Sequence, residues 1–595
     1  MEIAFQKDNN TSKKESKVAK FFSFLKDPHS LFYYFLLLVV LGFLYFSTTL
    51  SNHFTTSFTG DYVAQQIPFY TNGYDDWWHF LTTGEFVFYD TNTYLGANNI
   101  GSNSFYYVFD PFFLPILFCP RQYIAQGMVV LTVLKIALAG LFFYFYMREM
   151  GASKTASKIS GMAYAFCGWM AWNLWFNCYT EVVTAFPIML WGVEKVLKKK
   201  SPWLLSFGVL LMAMVNFFFA ITMSLCAFCY AMFRFFQDIK KHDGKENMQL
   251  LGLGVLGFGS GLLVACVILL PTCMIALQTT RSSNVYLSEI VEAFKVGDIS
   301  TVLNHVFNWG TVDYYYNNKY RSLYIFIDFI FPVFSDRGTP LVMVNYETYE
   351  PEAGSLFAFF PIMIFLVPAL IYSIKNKRKS PLIGTILMIF MLIIPFTYFM
   401  FHGFTQPYSR WILFATSSLI AFVGCYLDKV KEEPRYMVLI GAGSLLLLDL
   451  IGCFVAKYLV DLDVQEGFTF NARLPIWMAG VIEGAYIIVL TAVIYFVLRF
   501  KKKYLEAVFM GAMCVEIVVT GGIVIQGQGV ADYKYVNNGI NNNNMLHNMV
   551  NKLQSMDYSY YRCYSSLEND AAQNDGMRND YNGLGFFHSL YNFNI

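Results

Sequence analysis

The chain has 595 residues, 56% of them hydrophobic and only 14% charged, with a formal net charge of +1. Soluble domains carry about 25% charged residues, so the composition excludes an ordinary soluble enzyme. The near-neutral balance argues against nucleic acid as a partner. A mean hydropathy of +0.43 and 19% aromatic residues, led by 60 Phe and 41 Tyr, describe a polytopic membrane protein with interfacial aromatic belts.

Residues 1–30 are polar and basic, with Lys7, Lys13, Lys14, Lys17, Lys20 and Lys26. The apolar run at 31–50 is too long for a signal-peptide core and lacks a small-residue cleavage site after it. It reads as a first transmembrane helix with a cytoplasmic basic flank. Residues 51–121 then form an exterior loop rich in Asp, Asn, Gly, Trp and Tyr.

Spans are expected at about 124–146, 159–176 and 180–197, with Arg148, Lys154, Lys158 and Lys198 to Lys200 as cytoplasmic markers. The apolar block 203–233 has basic clusters at both ends. The positive-inside rule then makes it two short helices turning near Asn216. A span at 250–277 leads to a second exterior segment, 278–355. Further spans follow at about 356–374, 382–402, 410–427, 435–458, 475–499 and 504–526, with basic clusters at Lys375 to Lys379, Lys429 to Arg435 and Arg499 to Lys503. The expected fold is therefore all-α and polytopic, with about thirteen transmembrane helices grouped as 122–277 and 356–526. The polar, Asn-rich region 527–595 lies outside.

The stretch GDYVAQQIPFY, Gly60 to Tyr70, sets a carboxylate, Asp61, just beyond the first span. If the segment is helical, Gln65 lies one turn further on the same side, with Gln66 beside it, and Pro68 ends the turn. Transfer of a sugar from a phosphate leaving group needs one general base for the acceptor hydroxyl. It needs no general acid, because phosphate departs as a stabilised anion, unlike glycoside hydrolysis with its two carboxylates. Asp61 suits that single role. On the residues alone, a helix cap is the competing explanation.

Arg410 heads a later span, where a guanidinium can grip phosphate while Trp411 sits at headgroup level; a snorkelling interfacial Arg is the alternative. Arg281 and Arg321 are weaker candidates of the same kind. Lys135 falls in the middle of the 124–146 span, where a charge is costly and tends to be paired or functional. Asp449, Glu483 and Glu516, within later spans, are its expected partners in a structural ion pair, with a phosphate contact as the alternative.

No H-E-x-x-H or metal-ligand cysteine pair occurs, and Cys226-x-x-Cys229 lies in an apolar helix as packing residues. No metal is expected; a divalent cation held by Asp61 with His79, Asp75 or Asp76 is the alternative. The glycines from Gly252 to Gly261 read as close-packing residues, not a nucleotide loop. Neither a cytosolic nucleotide-binding motif nor an internal repeat of the transporter kind is evident.

GDYVAQQIPFY, followed by WHFLTTGEFVFYDTNTYLGANN and SFYYVFDPFFLPILF, resembles the opening of the bacterial YfhO family. QPYSRW, Gln406 to Trp411, is similar to that family's Arg-Trp segment, and the run from YYRCY through YNGLGFFHSLYN resembles its exterior C-terminal region. An Asp early in the first exterior loop also looks like the signature of the GT-C superfamily of membrane glycosyltransferases. The resemblance implies a GT-C-like bundle in the bacterial cell membrane. It implies transfer of a sugar from a polyprenyl-phosphate carrier to a cell-envelope polymer such as teichoic acid on the outer face. Asp61 would be the base, and a carrier-loading glycosyltransferase and a flippase would supply the donor. No cofactor beyond that lipid-phosphate donor is implied. Family members usually continue into a longer exterior domain and a final helix, so the chain reads as a truncated member or one closing on a small exterior domain. A transporter or flippase of a lipid-linked substrate is the main rival, supported by the intramembrane charges, and a non-catalytic envelope scaffold the third.

Overall fold

The computed structural model describes residues 31–56, 58, 61–92, 96–277, 285–308, 343–344, 355–404, 408–465, 470–471, 476–527, 533, 545–556, 574–579 and 582. Helix α1 (Leu31–Tyr45) runs into a tight turn at Ser47–Asn52. In the stretch that follows, α2 (Ile67–Thr83) ends at Gly84, whose φ of +78° is a left-handed conformation glycine adopts without strain. A short antiparallel ladder pairs β1 (Tyr89–Asp90) with β2 (Ala97–Asn98).

Helices α3 (Ile124–Met150), α4 (Lys154–Ala165) and α5 (Asn177–Leu197) build the centre of the main apolar core. Gly140 and Gly161 let α3 and α4 touch backbone to backbone: a Cβ on Gly161 would lie 2.5 Å from the Gly140 carbonyl oxygen. Next come α6 (Trp203–Val215) and α7 (Phe217–Asp238), and the break falls at Asn216 as expected. Asn216 is extended (φ −165°, ψ 116°), and its side-chain oxygen accepts from the N–H groups of Phe218 and Phe219. It thus ends one helix and caps the next. In α8 (Gly244–Ala276), Gly257 and Gly261 seat Leu205, Ser206 and Val209 of α6, whereas Gly252, Gly254 and Gly259 face open space. Close packing therefore explains only part of that glycine run. Just 22% of the apolar window of α8 is buried, which leaves most of it for lipid.

In the 278–355 region, α9 (Val285–Lys295) and α10 (Ile299–Phe307) pack towards the later helices; Tyr286 stacks on Phe399 with ring centroids 3.6 Å apart. The second half continues as α11 (Leu366–Lys375), α12 (Lys379–Ile393), α13 (Pro395–Phe401), α14 (Ile412–Leu427), α15 (Tyr436–Gln465), α16 (Ile476–Phe500) and α17 (Leu505–Gly527). Beyond it lie α18 (Met545–Met556) and the short α19 (Asp575–Asn579), which packs on α2.

The chain is a polytopic all-α membrane protein, but the expected count of about thirteen spans is not matched. Among the described residues, six helices are long and apolar enough to cross a membrane, or seven if α12 and α13 are one broken span. The shortfall has local causes. The first apolar run is helical only to Tyr45. The expected 159–176 span stops at Ala165 and resumes as the short turn Gly168–Trp172. The expected 382–402 span bends by 89° at Ile394, which is held extended because Pro395 follows it. Helix α5 has 21 residues but carries Glu181, Glu194 and Pro187 within its length.

Candidate functional site

Asp61 opens a π-helical turn, Tyr62–Gln66, that leads directly into α2. Such turns are uncommon and recur at functional sites. Asp61 is half-buried, has helical backbone angles (φ −55°, ψ −31°) and uses its side chain for no cap hydrogen bond. Helix capping therefore does not account for it. Gln65 and Gln66 are buried behind it, at 4% and 1% exposure. Pro68 does not end the turn as expected. It sits in the first turn of α2, where a missing N–H is tolerated, and the helix runs on to Thr83.

Behind this turn lies a buried polar cluster at the start of α5. Gln66 Oε1 accepts from the backbone N–H of Asn177 (3.1 Å), and Asn177 Oδ1 accepts from Thr132 Oγ1 (3.1 Å) and Lys135 Nζ (3.2 Å). Lys135 also donates to the Tyr70 hydroxyl (3.2 Å) and pairs with Glu181. The pair's side chains are only 2% and 1% exposed. The structural ion pair is thus present, but Glu181 is the partner. Asp449, Glu483 and Glu516 lie on α15, α16 and α17, and Glu516 instead accepts from the Phe360 N–H (2.9 Å).

Asp110 completes the cluster. It is fully buried, and its Oδ1 accepts from the Phe112 N–H (2.9 Å). Burial first, and then the Glu181 carboxylate beside it, hold the Asp110 carboxyl well above the usual carboxylate range. Asp110 Oδ2 and Glu181 Oε2 are buried and otherwise unpaired, and a proton shared between the two acids would give each the other as partner.

Arg410 lies on the other side of the first turn of α5. Its guanidinium stands over the rings of Tyr408 (4.6 Å), Phe218 (5.2 Å) and Tyr179 (5.3 Å), and its carbonyl accepts from Trp169 Nε1 (3.1 Å). Asn177 and Tyr179, two residues apart, thus bring the Gln66–Lys135 cluster and Arg410 to opposite sides of one helical turn. Trp411 departs from expectation. It is not a headgroup-level residue but is fully buried, stacked on Phe401 (5.1 Å) and edge-on to Tyr398. The Trp411 ring fills the core where α13 meets α14, so its apolar area is better placed inside the protein than at the lipid boundary. Arg281 and Arg321 lie outside the described residues.

The residues suggested as cation ligands with Asp61 serve other contacts. Asp75 makes a two-pronged ion pair with Arg121 (2.8 and 2.9 Å), and His79 faces Glu85 at 3.9 Å. Asp76 joins an amide network in the loop: its Oδ2 accepts from Asn99 Nδ2 (3.0 Å), the Tyr107 hydroxyl (3.1 Å) and Asn72 Nδ2 (3.4 Å). Asp90 accepts from the same Asn72 amide (3.3 Å). Burial, and next the charge of Asp90, push the Asp76 carboxyl up to about 7. Among the described residues, no group of three His, Cys, Asp or Glu side chains is placed to hold a metal ion.

Glu181, Asp110, Asn177 and Tyr70 were not singled out from sequence. Glu181 had a signal, as a lone acid near the start of an apolar segment that must pair with something. Asp110 had none, because its burial depends on how the loop folds.

These elements define a multi-pass α-helical membrane protein with a polar, half-buried carboxylate turn beside the bundle. The family model described as "Bacterial membrane protein YfhO" matches residues 33–337 and 319–595, and the chain belongs to that family. It is also similar to a protein of Bacillus subtilis (strain 168) described as "Uncharacterized protein YfhO", at 23% identity over 216 residues. That match covers 33% of this chain and 24% of the relative, so it spans about a quarter of the relative's length.

Proposed function

We propose that the protein is a GT-C-like glycosyltransferase that moves a sugar from a polyprenyl-phosphate carrier to a hydroxyl of a cell-envelope polymer, such as teichoic acid, on the outer face. One observation carries this: Asp61 is half-exposed at the head of a π-helical turn, on a base of buried amides. In the proposed step the acceptor oxygen bonds to the anomeric carbon while the bond from that carbon to the phosphate oxygen breaks. The acceptor proton passes to the Asp61 carboxylate, and the phosphate leaves on its lipid with the electron pair. Gln65 and Gln66 orient the turn. Arg410, with its guanidinium among three rings just ahead of α14, is assigned to the donor phosphate. Lys135 supports the site from behind, because Glu181 takes its charge.

The test is envelope sugar content in cells carrying each variant as the only copy. Asp61→Asn keeps shape but removes the proton acceptor, and transfer should fall roughly a hundredfold to ten-thousandfold at normal protein level. Gln65→Ala should cost less. Normal glycosylation with Asp61→Asn would sink the catalytic assignment and favour transport of a lipid-linked substrate.

A further inference from the structure

The turn that carries Asp61 has a backbone problem of its own making. The Ile67 N–H is committed to the Tyr62 carbonyl, five residues back. The next donor in line, for the Val63 carbonyl in π spacing and for the Ala64 carbonyl in α spacing, would be residue 68. Residue 68 is proline and has no N–H. Val63 and Ala64 are both buried, at 3% and 2% exposure, so water is a poor substitute and an unmet carbonyl there is costly.

The missing donors come from the far end of the chain. Asn574 Nδ2 donates to the Ala64 carbonyl and Arg578 Nη2 to the Val63 carbonyl, each at 2.8 Å and across 510 and 515 residues of sequence. Both side chains are buried, Asn574 at 0% and Arg578 at 4%, and Met577 between them is fully buried. Arg121, the partner of Asp75 on α2, also donates to the Arg578 carbonyl (3.4 Å). Asn574 holds φ +63°, a left-handed conformation that Asn tolerates better than most residues. The segment 574–578 is therefore fitted to the two carbonyls left open where π spacing changes to α spacing: the change itself passes over one of them, and Pro68 has no N–H for the other.

We propose that Asn574 and Arg578 are positioning residues for Asp61: they fix the π-helical turn through its backbone, so that the carboxylate is held where the reaction needs it. The catalytic half of this rests on the glycosyltransferase assignment above, whereas the clasp itself does not. The experiment uses the full chain in lipid nanodiscs. It follows amide hydrogen exchange across 61–70 alongside the kinetics of sugar transfer from a polyprenyl-phosphate sugar. Asn574→Gly keeps the left-handed backbone and removes the donor; Arg578→Ala removes the other donor, and Arg578→Lys keeps one.

Asn574→Gly and Arg578→Ala should each speed exchange in 61–70 about tenfold, the worth of one net hydrogen bond, with α3 amides unchanged. They should lower kcat by about tenfold with little change in donor KM, and Arg578→Lys should recover most of both. Pro68→Ala, which supplies an N–H at residue 68, should restore protection in the Asn574→Gly background. Unchanged exchange in 61–70 in the two donor-deleting variants overturns the clasp. Loosened exchange with wild-type kcat overturns the positioning role. Loosened exchange in a protein whose parent transfers no sugar refutes the glycosyltransferase assignment and leaves the clasp standing.

Discussion

The Lys135–Glu181 pair gives the most exacting stability prediction. Both side chains are almost wholly removed from solvent, so neither charge can fall back on water if the other is deleted. Breaking a buried pair by removing one partner costs about 3–5 kcal/mol, because an uncompensated charge stays behind. Lys135→Met should therefore destabilise by about that much: it strands the Glu181 carboxylate and strips Tyr70 and Asn177 of a donor. Glu181→Gln should cost a similar amount, since it strands the ammonium. Lys135→Met with Glu181→Gln together remove both charges and keep an amide to meet Asp110 and Tyr70, so the double variant should return to within about 2 kcal/mol of wild type. The coupling energy is then at least about 4 kcal/mol, far above the few tenths seen between independent sites. Equilibrium unfolding in mixed detergent micelles measures all four corners of the cycle. Single variants within 1 kcal/mol of wild type, or costs that simply add, would refute the account of the cluster as one ammonium neutralised by one carboxylate.

Asp110→Asn should cost less than Glu181→Gln in the same unfolding titration, because burial and the Glu181 carboxylate hold the Asp110 carboxyl well above its usual range; an equal cost would show that Asp110 carries the charge. Asp76 binds its proton more tightly in the folded loop than in the unfolded chain. Its contribution is fully present below the unfolded value near 3.8 and is lost as pH rises through about 7. The loop should loosen as pH rises from about 4 to about 7, by a few kcal/mol at most, and Asp76→Asn should flatten that dependence in amide exchange. Gly441→Ala would set a Cβ 1.9 Å from the Ile364 carbonyl oxygen, costing about 1–3 kcal/mol. Gly443→Ala meets nothing and should be neutral or slightly stabilising; equal effects at the two sites in thermal unfolding would contradict the close approach of α15 to the Ile364 backbone.

Much of the helical layout was legible because lipid-facing helices write long apolar runs, and α3, α8, α15, α16 and α17 fall where those runs fall. The break at Asn216 was legible too, from basic residues at both ends of one apolar block. Helices that stop early were not. Hydropathy carries straight through Ile394, where the obstacle is the steric effect of one proline on its neighbour. At the candidate site, Asp61 and its glutamines stood out in one short stretch of sequence. The π-helical turn did not, because the side chains that meet its Val63 and Ala64 carbonyls lie 515 and 510 residues away in sequence. Lys135 was recognisable as a buried charge, but its partner was sought among acids of later helices. Glu181, at the head of a neighbouring helix, was nearer in space. Trp411 was placed by its neighbour Arg410, although only tertiary packing decides which of two adjacent side chains turns inward.

The clasp over the Asp61 turn also bears on how the protein is made. Chains enter the membrane from the amino-terminal end, at about 5–20 residues per second. The turn at 61–66 is synthesised long before residues 574–578 leave the ribosome. During that interval, on the order of tens of seconds, the carbonyls of Val63 and Ala64 wait for their partners. These two hydrogen bonds at the Asp61 turn thus form last, once the helices between have been made and α19 has reached α2. A nascent or prematurely stopped chain would carry Asp61 and its glutamines and still lack the two donors that meet the Val63 and Ala64 carbonyls.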